Sequence, residues 1–437
     1  MTRDKIPGRE TETTSLEALN LKSLLDACNR CGFCQDVCPT YRHSRNELEV
    51  ARGRIRLIRL VLEGKYDFKS EPDAAKMVDS CLLCKACTVN CPASVQTDQI
   101  VLQARQRVRE EKGFSFFHRV VYQGLLTSRQ RLNMVNAMLR LYERSGLRRI
   151  VDRQVLEKAS GRISHLASLV PAHCEQPAVC DLSFQVQEKE NAVYKVGLFV
   201  GCATKLYGRS VIQAAVSYLQ SRGCSVHIPE IGCCGGPQHN AGDERSAREL
   251  ARKTVDRIFS QDFDFIVSDC STCVHTLLQY TKYFPADDPV QDVLRGYQNR
   301  IMDLNTFILE KLGPDASLKP LKVRATYHDP CHAVRGIGVR EAPRNLLKSI
   351  PDLELAEMER ADSCCGGAGS YCFTHPDMSA RILKEKTQNI LAQVPDVVLT
   401  SCPACTLQLQ AGLRQQKMSI PVKHPVELLA KSAGLQP

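Results

Sequence analysis

Two matched sets of cysteines in the C-terminal half constrain the fold more than any other feature of this chain. Each set has a leading cysteine, then an adjacent pair followed by glycine, then a Cys-x-x-Cys. The sets are Cys202, Cys233-Cys234-Gly235 and Cys270-Ser-Thr-Cys273, then Cys331, Cys364-Cys365-Gly366 and Cys402-Pro-Ala-Cys405. Their offsets are 129, 131 and 132 residues at the three successive positions. Such nearly constant offsets indicate a duplicated module.

The number of thiols in each module limits what the module can bind. Thiolates bind soft metals and iron–sulfur clusters, and a Cys-x-x-Cys can turn two ligands toward one ion. A structural zinc site needs only four ligands. Five cysteines therefore favour a multi-iron cluster, or four ligands and one reactive thiol, with zinc as the alternative. Ordinary buried cysteines explain scattered single positions better than two matched sets.

A second duplicated pattern lies near the N-terminus. The run Cys28-x2-Cys31-x2-Cys34-x3-Cys38-Pro39 recurs 53 residues later as Cys81-x2-Cys84-x2-Cys87-x3-Cys91-Pro92. This is the bacterial-ferredoxin spacing, in which three cysteines hold one [4Fe–4S] cluster and the fourth ligates the other cluster. Zinc ribbons require neither the third cysteine nor the Cys-Pro. We therefore predict one cluster on Cys28, Cys31, Cys34 and Cys91, and another on Cys81, Cys84, Cys87 and Cys38.

Helices are predicted around these two runs. Apolar residues recur at helical spacing from Glu47 to Gly64, and a second helix is expected from about Asp98 to Lys112, ending at Gly113. Three arginines of the first helix either offset the negative charge of thiolate-ligated iron or form a solvated face: Arg52, Arg54 and Arg56. Residues 1–113 are therefore expected to form an α-helical ferredoxin domain.

Composition restricts the compartment and the partners. The chain has 437 residues, 22 cysteines, no tryptophan and a formal net charge of +10. No signal peptide is visible, and no stretch approaches the roughly 18 apolar residues that cross a bilayer. We therefore expect reduced, metal-ligating cysteines in the cytoplasm. The basic residues are dispersed, which argues against nucleic acid; a basic face docking on an acidic partner protein or peripherally on the inner face of the membrane is the alternative.

Residues 114–192 are expected to connect the ferredoxin domain to the modules. Apolar stripes that include Phe116, Val120 and Met134 predict helices that pack between domains, and a polar linker is expected from Pro171 to Asn191. Four cysteines have no recognisable spacing and receive no role: Cys174, Cys180, Cys224 and Cys372.

Each module alternates strands and helices. Predicted strands precede the cysteine groups at 196–200, 225–228 and 263–267 in the first module, and at 323–327, 353–358 and 397–400 in the second. Sites in α/β sheets lie after the strands, so the cysteines stand where such a fold places its chemistry. We predict an α+β multidomain protein with modules at 193–315 and 316–437. The two modules are expected to form a pseudo-symmetric pair whose strand ends face a shared site.

These features together resemble the iron–sulfur subunit of glycolate oxidase over nearly the whole chain. They are also similar to the iron–sulfur subunits of anaerobic glycerol-3-phosphate dehydrogenase, bacterial lactate oxidation and heterodisulfide reductase. The leading segment of the cysteine-rich modules in those subunits resembles Tyr327-His328-Asp329-Pro330-Cys331-His332 and Arg335 of this chain. In heterodisulfide reductase such modules hold non-cubane [4Fe–4S] clusters. The resemblance implies one or two further clusters, held by Cys202, Cys233, Cys234, Cys270 and Cys273, and by Cys331, Cys364, Cys365, Cys402 and Cys405.

Two functions follow from this resemblance. The first is an electron-transfer subunit, not catalytic alone, that passes electrons from a flavoprotein oxidising glycolate or lactate to a quinone or another carrier. The chain has no G-x-G-x-x-G fingerprint, so the flavin is expected on a partner. The second is a disulfide reductase acting at a cysteine-rich cluster. In that case His328 and His332 either supply protons or order the loop around Cys331.

Overall fold

The computed structural model describes residues 21–128, 130–131, 134, 137–138 and 191–435. Two compact units divide the chain: Met1–Phe114 with Asn240–Asp243, and Ser115–His239 with Glu244–Pro437. Most of the predicted connector, including the linker up to residue 190, Cys174 and Cys180, lies outside the described residues. Among the helices that are described, none combines the length and apolar character that crossing a bilayer requires.

Unit 1 is helical. Beyond a helical stretch at 21–26, its helices are α1 Cys34–Val37, α2 Pro39–Ser44, α3 Ala51–Leu62, α4 Pro72–Asp79, α5 Ala86–Val89 and α6 Thr97–Lys112. The two long helices stand where the apolar spacing predicts them. Helix α3 is preceded by a short 3-10 turn, Glu47–Glu49, where the side chain of Asn46 accepts a hydrogen bond from the Leu48 amide at 3.0 Å.

The core of unit 1 forms where α3 and α6 bury their apolar stripes. Ile55 and Ile58 of α3 and Ile100 and Val101 of α6 belong to one buried cluster. Gly53 faces the preceding turn, and a Cβ atom there would collide with the carbonyl oxygen of Glu47. That backbone cannot move away cheaply, so only glycine fits this position.

Unit 2 contains two four-stranded parallel sheets with the same topology. The first has the order β2-β1-β3-β4 and the second the order β6-β5-β7-β8. The strands are β1 Lys195–Leu198, β2 Ser225–His227, β3 Phe265–Ser268, β4 Ile301–Asp303, β5 Val323–Tyr327, β6 Leu353–Leu355, β7 Val397–Leu399 and β8 Val422–Lys423. Six of these confirm predicted strands, whereas the edge strands β4 and β8 were not predicted.

Helices cover both sheets, as parallel sheets require. They are α7 Phe116–His118, α8 Cys202–Tyr207, α9 Arg209–Ser221, α10 Gly236–Asn240, α11 Glu244–Thr254, α12 Ser271–Leu278, α13 Val290–Tyr297, α14 Leu304–Phe307, α15 Cys331–Gly336, α16 Glu341–Lys348, α17 Tyr371–Thr374, α18 Pro376–Leu391, α19 Pro403–Gln415 and α20 Pro425–Ser432. Short 3-10 turns lie at Tyr280–Lys282 and Gln298–Arg300. Helices α7, α11 and α14 continue as π-helical segments at Arg119–Leu125, Val255–Phe259 and Ile308–Leu312.

The two sheets share their cores and meet directly at their carboxyl ends. One buried cluster contains Leu198 and Val267 of the first sheet together with Tyr327 and Leu399 of the second. At the strand ends, the Ser271 amide and hydroxyl donate to the Ser401 carbonyl at 3.1 and 3.0 Å. The predicted pairing of the modules is confirmed.

Replacing Gly53 by alanine tests the tight contact with Glu47. Overpacking of this kind costs about 1–3 kcal/mol, so the Gly53→Ala protein should show a lower Tm. Gly296 in α13 is the matched control, because a Cβ atom there meets nothing within 4 Å. Gly296→Ala should leave Tm unchanged or raise it, since alanine is the better helix former. Calorimetry measures the Tm of both variants. Equal Tm values would contradict the tight contact between Gly53 and Glu47.

Candidate iron–sulfur centres

Two cavities in unit 1 are lined by cysteines of both ferredoxin runs. The first is lined by Cys28, Cys31, Cys34 and Cys91, and the second by Cys38, Cys81 and Cys84. Cys87 lines both cavities. Apart from that double position of Cys87, the two groupings are those that the crossed-ligation spacing predicts. Five cysteines line the first cavity and four line the second, so each cavity has the four soft donors that a [4Fe–4S] cluster needs.

Local backbone conformation turns these thiols inward. Residues between the cysteines adopt positive φ, at 57° in Arg30, 95° in Gly32, 52° in Leu83 and 60° in Lys85. Such left-handed turns reverse the chain between successive ligands. Hydrogen bonds also reach the sulfurs. The Leu83 amide donates to Cys81 Sγ at 3.5 Å, and Cys38 Sγ lies 3.1 Å from Thr40 Oγ1.

Burial favours the protonated form of two of these thiols, Cys87 and Cys34, when no metal is bound. It raises the pKa of Cys87 to about 12 and raises the pKa of Cys34 above its ordinary value. A bound metal requires the thiolate, so cluster binding here must displace protons.

The three arginines of α3 divide between the two predicted roles. Arg54 is 2% exposed and donates to the carbonyls of Met77 and Glu49 at 2.9 and 2.7 Å. Arg52 pairs with Glu47 at the surface, whereas Arg56 is exposed. Arg105, which the sequence analysis missed, is also buried and donates to the Asp79 carbonyl at 3.0 Å. Arg54 and Arg105 therefore supply buried positive charge, and Arg56 belongs to the solvated face.

In unit 2 the ten module cysteines form one uninterrupted series of thiol contacts. Cys202 Sγ lies 3.7 Å from Cys233 Sγ, and Cys365 Sγ lies 3.6 Å from Cys405 Sγ. The series runs through Cys202, Cys233, Cys234, Cys273, Cys270, Cys402, Cys405, Cys365, Cys364 and Cys331. The contact between Cys270 and Cys402 joins the two modules. The structure thus brings all ten predicted residues together.

Strand ends and glycines position these thiols. Cys202 and Cys331 begin α8 and α15, whereas Cys270 and Cys402 stand just before α12 and α19. Gly235 and Gly366, after the cysteine pairs, both have a φ of 84°, and a Cβ atom at either would lie within 3.0 Å of a helix carbonyl. Each Cys-Cys-Gly is therefore a turn that packs closely on the helix beside it.

Three of these thiols have a lowered pKa. Hydrogen bonds from Cys233 to Cys234, from Cys331 to Cys364 and from Cys270 to Cys402 hold the pKa of each acceptor well below its ordinary value. Soft, buried donors with thiolate character fit an iron–sulfur cluster. Cys224 and Cys372 stand apart from this series in the apolar interior, and burial raises the pKa of Cys372 to about 12.

The two candidate histidines occupy different surroundings. His328 is 1% exposed, and one of its ring nitrogens lies within 4.8 Å of the Cys365 and Cys405 sulfurs. Neither ring nitrogen makes a well-formed hydrogen bond. Burial lowers the pKa of His328 to about 3, so the ring is neutral at physiological pH. At the equivalent position, 129 residues earlier, the first module has the buried Phe199.

His332 lies where the modules meet. Its Nδ1 atom is 3.1 Å from Thr272 Oγ1, which in turn lies 3.6 Å from Cys402 Sγ. Its ring stacks on His275 with centroids 4.9 Å apart. His332 therefore orders contacts between the modules, in addition to standing near a thiol.

Sequence reasoning missed Lys386, a buried cation beside the second module's thiols. Its Nζ donates to the Arg360 carbonyl at 2.5 Å, just before the Cys364-Cys365 pair. Burial lowers the pKa of this lysine to about 8, so it still carries charge at neutral pH. No spacing signal marks it, because it lies within an ordinary amphipathic helix.

Comparison with known proteins identifies the family. Residues 24–95 match the family described as "4Fe-4S dicluster domain", and 196–278 and 325–410 each match "Cysteine-rich domain". Residues 115–170 match "Glycolate oxidase iron-sulfur subunit, linker region".

The chain is 31% identical over 236 residues to "Lactate utilization protein A" of Geobacillus sp. (strain WCH70), covering 54% of this chain and 98% of that protein. It is 29% identical over 420 residues to "Probable glycolate oxidase iron-sulfur subunit" of Bacillus subtilis (strain 168), covering 93% and 94%. The chain belongs to the glycolate oxidase iron–sulfur subunit family.

A third relative extends the comparison to another reductase. The chain is 31% identical over 243 residues to one of the subunits of the fumarate reductase (CoM/CoB) of Methanothermobacter marburgensis, covering 55% of this chain and 47% of that protein. The predicted resemblance is confirmed, and so are the iron–sulfur character and the fold class. The cysteine sets of this glycolate oxidase iron–sulfur subunit family member fit iron–sulfur clusters in both units.

Replacing Cys91 tests the crossed ligation in unit 1. Because Cys91 lines the cavity of Cys28, Cys31 and Cys34, the Cys91→Ser protein should lose the first cluster's signal while the second persists. Electron paramagnetic resonance of the anaerobically purified, reduced protein measures this. Cys38→Ser is the matched variant and should affect the second cluster. Loss of only the second signal in Cys91→Ser would refute the crossed assignment.

Replacing His328 by phenylalanine makes the second module resemble the first. The variant should still assemble its iron, but loss of a nearby N–H group should lower the second-module potential by about 50 mV, roughly a tenfold change for one electron. Redox titration followed by magnetic resonance gives the potential, and Phe199→His is the reciprocal variant. Unchanged potentials in both variants would show that the imidazole does not act on a cluster.

Proposed function

We propose that this chain is the iron–sulfur electron-transfer subunit of a flavin-dependent 2-hydroxy-acid dehydrogenase complex, with glycolate or lactate as substrate. It receives electrons from a partner flavoprotein and delivers them to a quinone or another carrier. The observation that carries the proposal is the uninterrupted series of ten thiols, added to the two cysteine-lined cavities of unit 1. Thiols without an iron cluster would need no such contiguity.

The ligand assignment is part of this proposal. Two [4Fe–4S] clusters are held by Cys28, Cys31, Cys34 and Cys91, and by Cys81, Cys84, Cys87 and Cys38. One or two more are held by the two module sets. Such clusters, when bound, accept and release single electrons. The module cysteines other than Cys202 and Cys331 are buried away from water. Arg54, Arg105 and Lys386 place positive charge where thiolate-ligated iron is negative.

The sequence supports assigning substrate oxidation to the flavoprotein and electron transfer to this chain. The chain has no G-x-G-x-x-G fingerprint, so substrate oxidation takes place on the flavoprotein. Two relatives carry names from glycolate oxidation and lactate utilization, which supports a 2-hydroxy acid as the substrate of the complex. The net charge of +10 supports docking on an acidic partner or on the inner face of the membrane.

A second candidate is a disulfide reductase acting at the module thiols. The contiguous module thiols favour it, because disulfide chemistry occurs at thiols, and one relative is named as a subunit of a reductase. Of the two predicted proton donors, His328 is neutral at physiological pH and a poor acid, because burial lowers its pKa to about 3. His332, 3.1 Å from Thr272 Oγ1, is the better placed of the two.

The Cys365→Ala variant separates these two functions. Cys365 contacts both Cys364 and Cys405, so the change interrupts the thiol series in the second module. In complex with the flavoprotein, the variant should still permit bleaching of the flavin by glycolate or lactate, but reduction of a quinone should stop.

Controls for this experiment use chains that keep the series intact. Cys224→Ala removes a buried thiol outside the series and should retain quinone reduction. The isolated wild-type chain should oxidise neither acid. If the isolated chain reduces a disulfide with an artificial donor, and Cys365→Ala abolishes that activity, the reductase function replaces the proposal.

A further inference from the structure

The two cysteine-lined cavities of unit 1 differ in how close they come to the surface. In the first cavity Cys31 is exposed, and the other three predicted ligands are half-buried. In the second cavity Cys38 and Cys84 are buried. Among the cysteines that the structure describes, Cys31 is the one exposed thiol. Because electron transfer falls steeply with distance, electrons from another protein enter or leave unit 1 most readily beside Cys31.

Exposed apolar side chains lie around that thiol. Phe33, two residues after Cys31, lines the first cavity and is 64% exposed. Pro92 lines the same cavity and is also exposed. Val89, which is 56% exposed, ends helix α5, and α5 packs against α1 directly after Phe33. Single exposed apolar residues are ordinary. Three of them beside an exposed ligand, here called the Phe33 surface together with Arg30 and Cys31, indicate a face that a partner covers.

A hydrogen-bonded network holds the backbone behind the Phe33 surface. The guanidinium of Arg52 donates to Glu47 Oε2 at 3.2 Å and to the Arg30 carbonyl at 3.4 Å. From α1, Gln35 Nε2 donates to the same Glu47 oxygen at 2.8 Å. The loop that presents Phe33 is therefore fixed before any partner arrives, which lowers the entropic cost of binding.

The shape and charge of the Phe33 surface restrict its occupant. Small molecules bind in concave pockets that bury most of their surface, whereas the Phe33 and Val89 side chains project into solvent. Electron-transfer proteins meet through small interfaces, for which a few apolar side chains suffice. Arg30 places a positive charge at the surface, and Asp36 on α1 is an exposed acid. The fitting partner is thus a redox protein with an apolar face and an acidic side chain opposite Arg30.

We propose that the Phe33 surface is the docking site of the flavoprotein, which delivers electrons to unit 1 beside Cys31. This inference rests on the proposed function and specifies where its electron donor binds. The reduced flavin loses two electrons and two protons and is oxidised. The electrons enter unit 1 singly, one for each of its two [4Fe–4S] clusters, and the protons pass to water.

The experiment uses the full chain, loaded with iron without oxygen, and the flavoprotein. Calorimetry measures the Kd between the two oxidised proteins, and stopped-flow absorbance follows cluster reduction after glycolate or lactate is added. Phe33→Ser removes the aromatic ring, and Val89→Glu places a charge on the apolar face. Arg30→Asn removes a charge, and asparagine tolerates the positive φ of 57° at that position.

Matched controls carry the same kinds of change away from the Phe33 surface. Tyr66→Ser removes an aromatic ring that is 45% exposed in unit 1 and lines neither cysteine-lined cavity. Val193→Glu introduces the same charge at a valine that is 60% exposed in unit 2. Electron paramagnetic resonance of every reduced variant should match wild type. If Phe33→Ser alters a cluster signal, Val89→Glu and Arg30→Asn decide the outcome.

We expect the Kd to rise at least about tenfold in Phe33→Ser and Val89→Glu, because aromatic and central apolar side chains carry much of an interface's affinity. Arg30→Asn should raise the Kd several-fold, and added salt should weaken its binding less than that of wild type. Rates of cluster reduction should fall in parallel when the flavoprotein is dilute. Both controls should bind and react like wild type. Wild-type affinity in both Val89→Glu and Arg30→Asn would overturn the inference.

Three further results distinguish the occupants. Reoxidation of dithionite-reduced chain by a short-tailed naphthoquinone should be the same in all variants; slower reoxidation with unchanged flavoprotein binding would assign the Phe33 surface to the acceptor and overturn the inference. A wild-type dimer that Val89→Glu dissociates, seen by sedimentation, would assign the surface to a second copy of the chain and overturn it as well. If the flavoprotein does not reduce the wild-type chain, the proposed function fails and the inference with it. If it reduces wild type and the surface variants equally, the inference fails alone.

Discussion

The contact between Cys270 and Cys402 is the interaction on which unit 2 depends. The two cysteines are 132 residues apart in sequence, and their contact, which joins the two sets of thiols, forms because both follow central parallel strands. Strand order fixes which loops meet at the carboxyl edge of each sheet. The Ser271–Ser401 hydrogen bonds then hold the two edges together. Without this junction there would be two separate five-thiol sites and no shared series.

Cysteine spacing predicted most of this arrangement, because a ligand set requires its members in fixed order. The edge strands β4 and β8 could not be predicted in the same way. They are three and two residues long, and no cysteine group follows either of them, whereas the equally short strands β2, β6 and β7 each precede a cysteine group.

The arginines of α3 show the same limit at a single helix. Arg54 and Arg56 are two residues apart in one run of basic residues, and the sequence allows either to face the clusters. Burial separates them, since Arg54 is closed in by the carbonyls of Met77 and Glu49 and Arg56 faces solvent. Those carbonyls come from α4 and from the turn before α3. The sequence alone does not distinguish the buried arginine from the exposed one, because the distinction depends on tertiary contacts.

The two modules differ in the buried groups near their cysteines, and the second module has the more polar and more positively charged ones. Position 199 of the first module is phenylalanine, whereas the equivalent residue of the second is His328. Thr254 in α11 bonds its own helix at 2.9 Å, whereas the equivalent Lys386 in α18 brings a buried cation to the cysteine pair. Positive charge and polar N–H groups stabilise a reduced cluster more than an oxidised one, because reduction adds negative charge. Under the proposed function, the second module is therefore the one that holds an electron more readily. The duplication conserved the ten thiols, whereas the buried groups around them came to differ between the two modules.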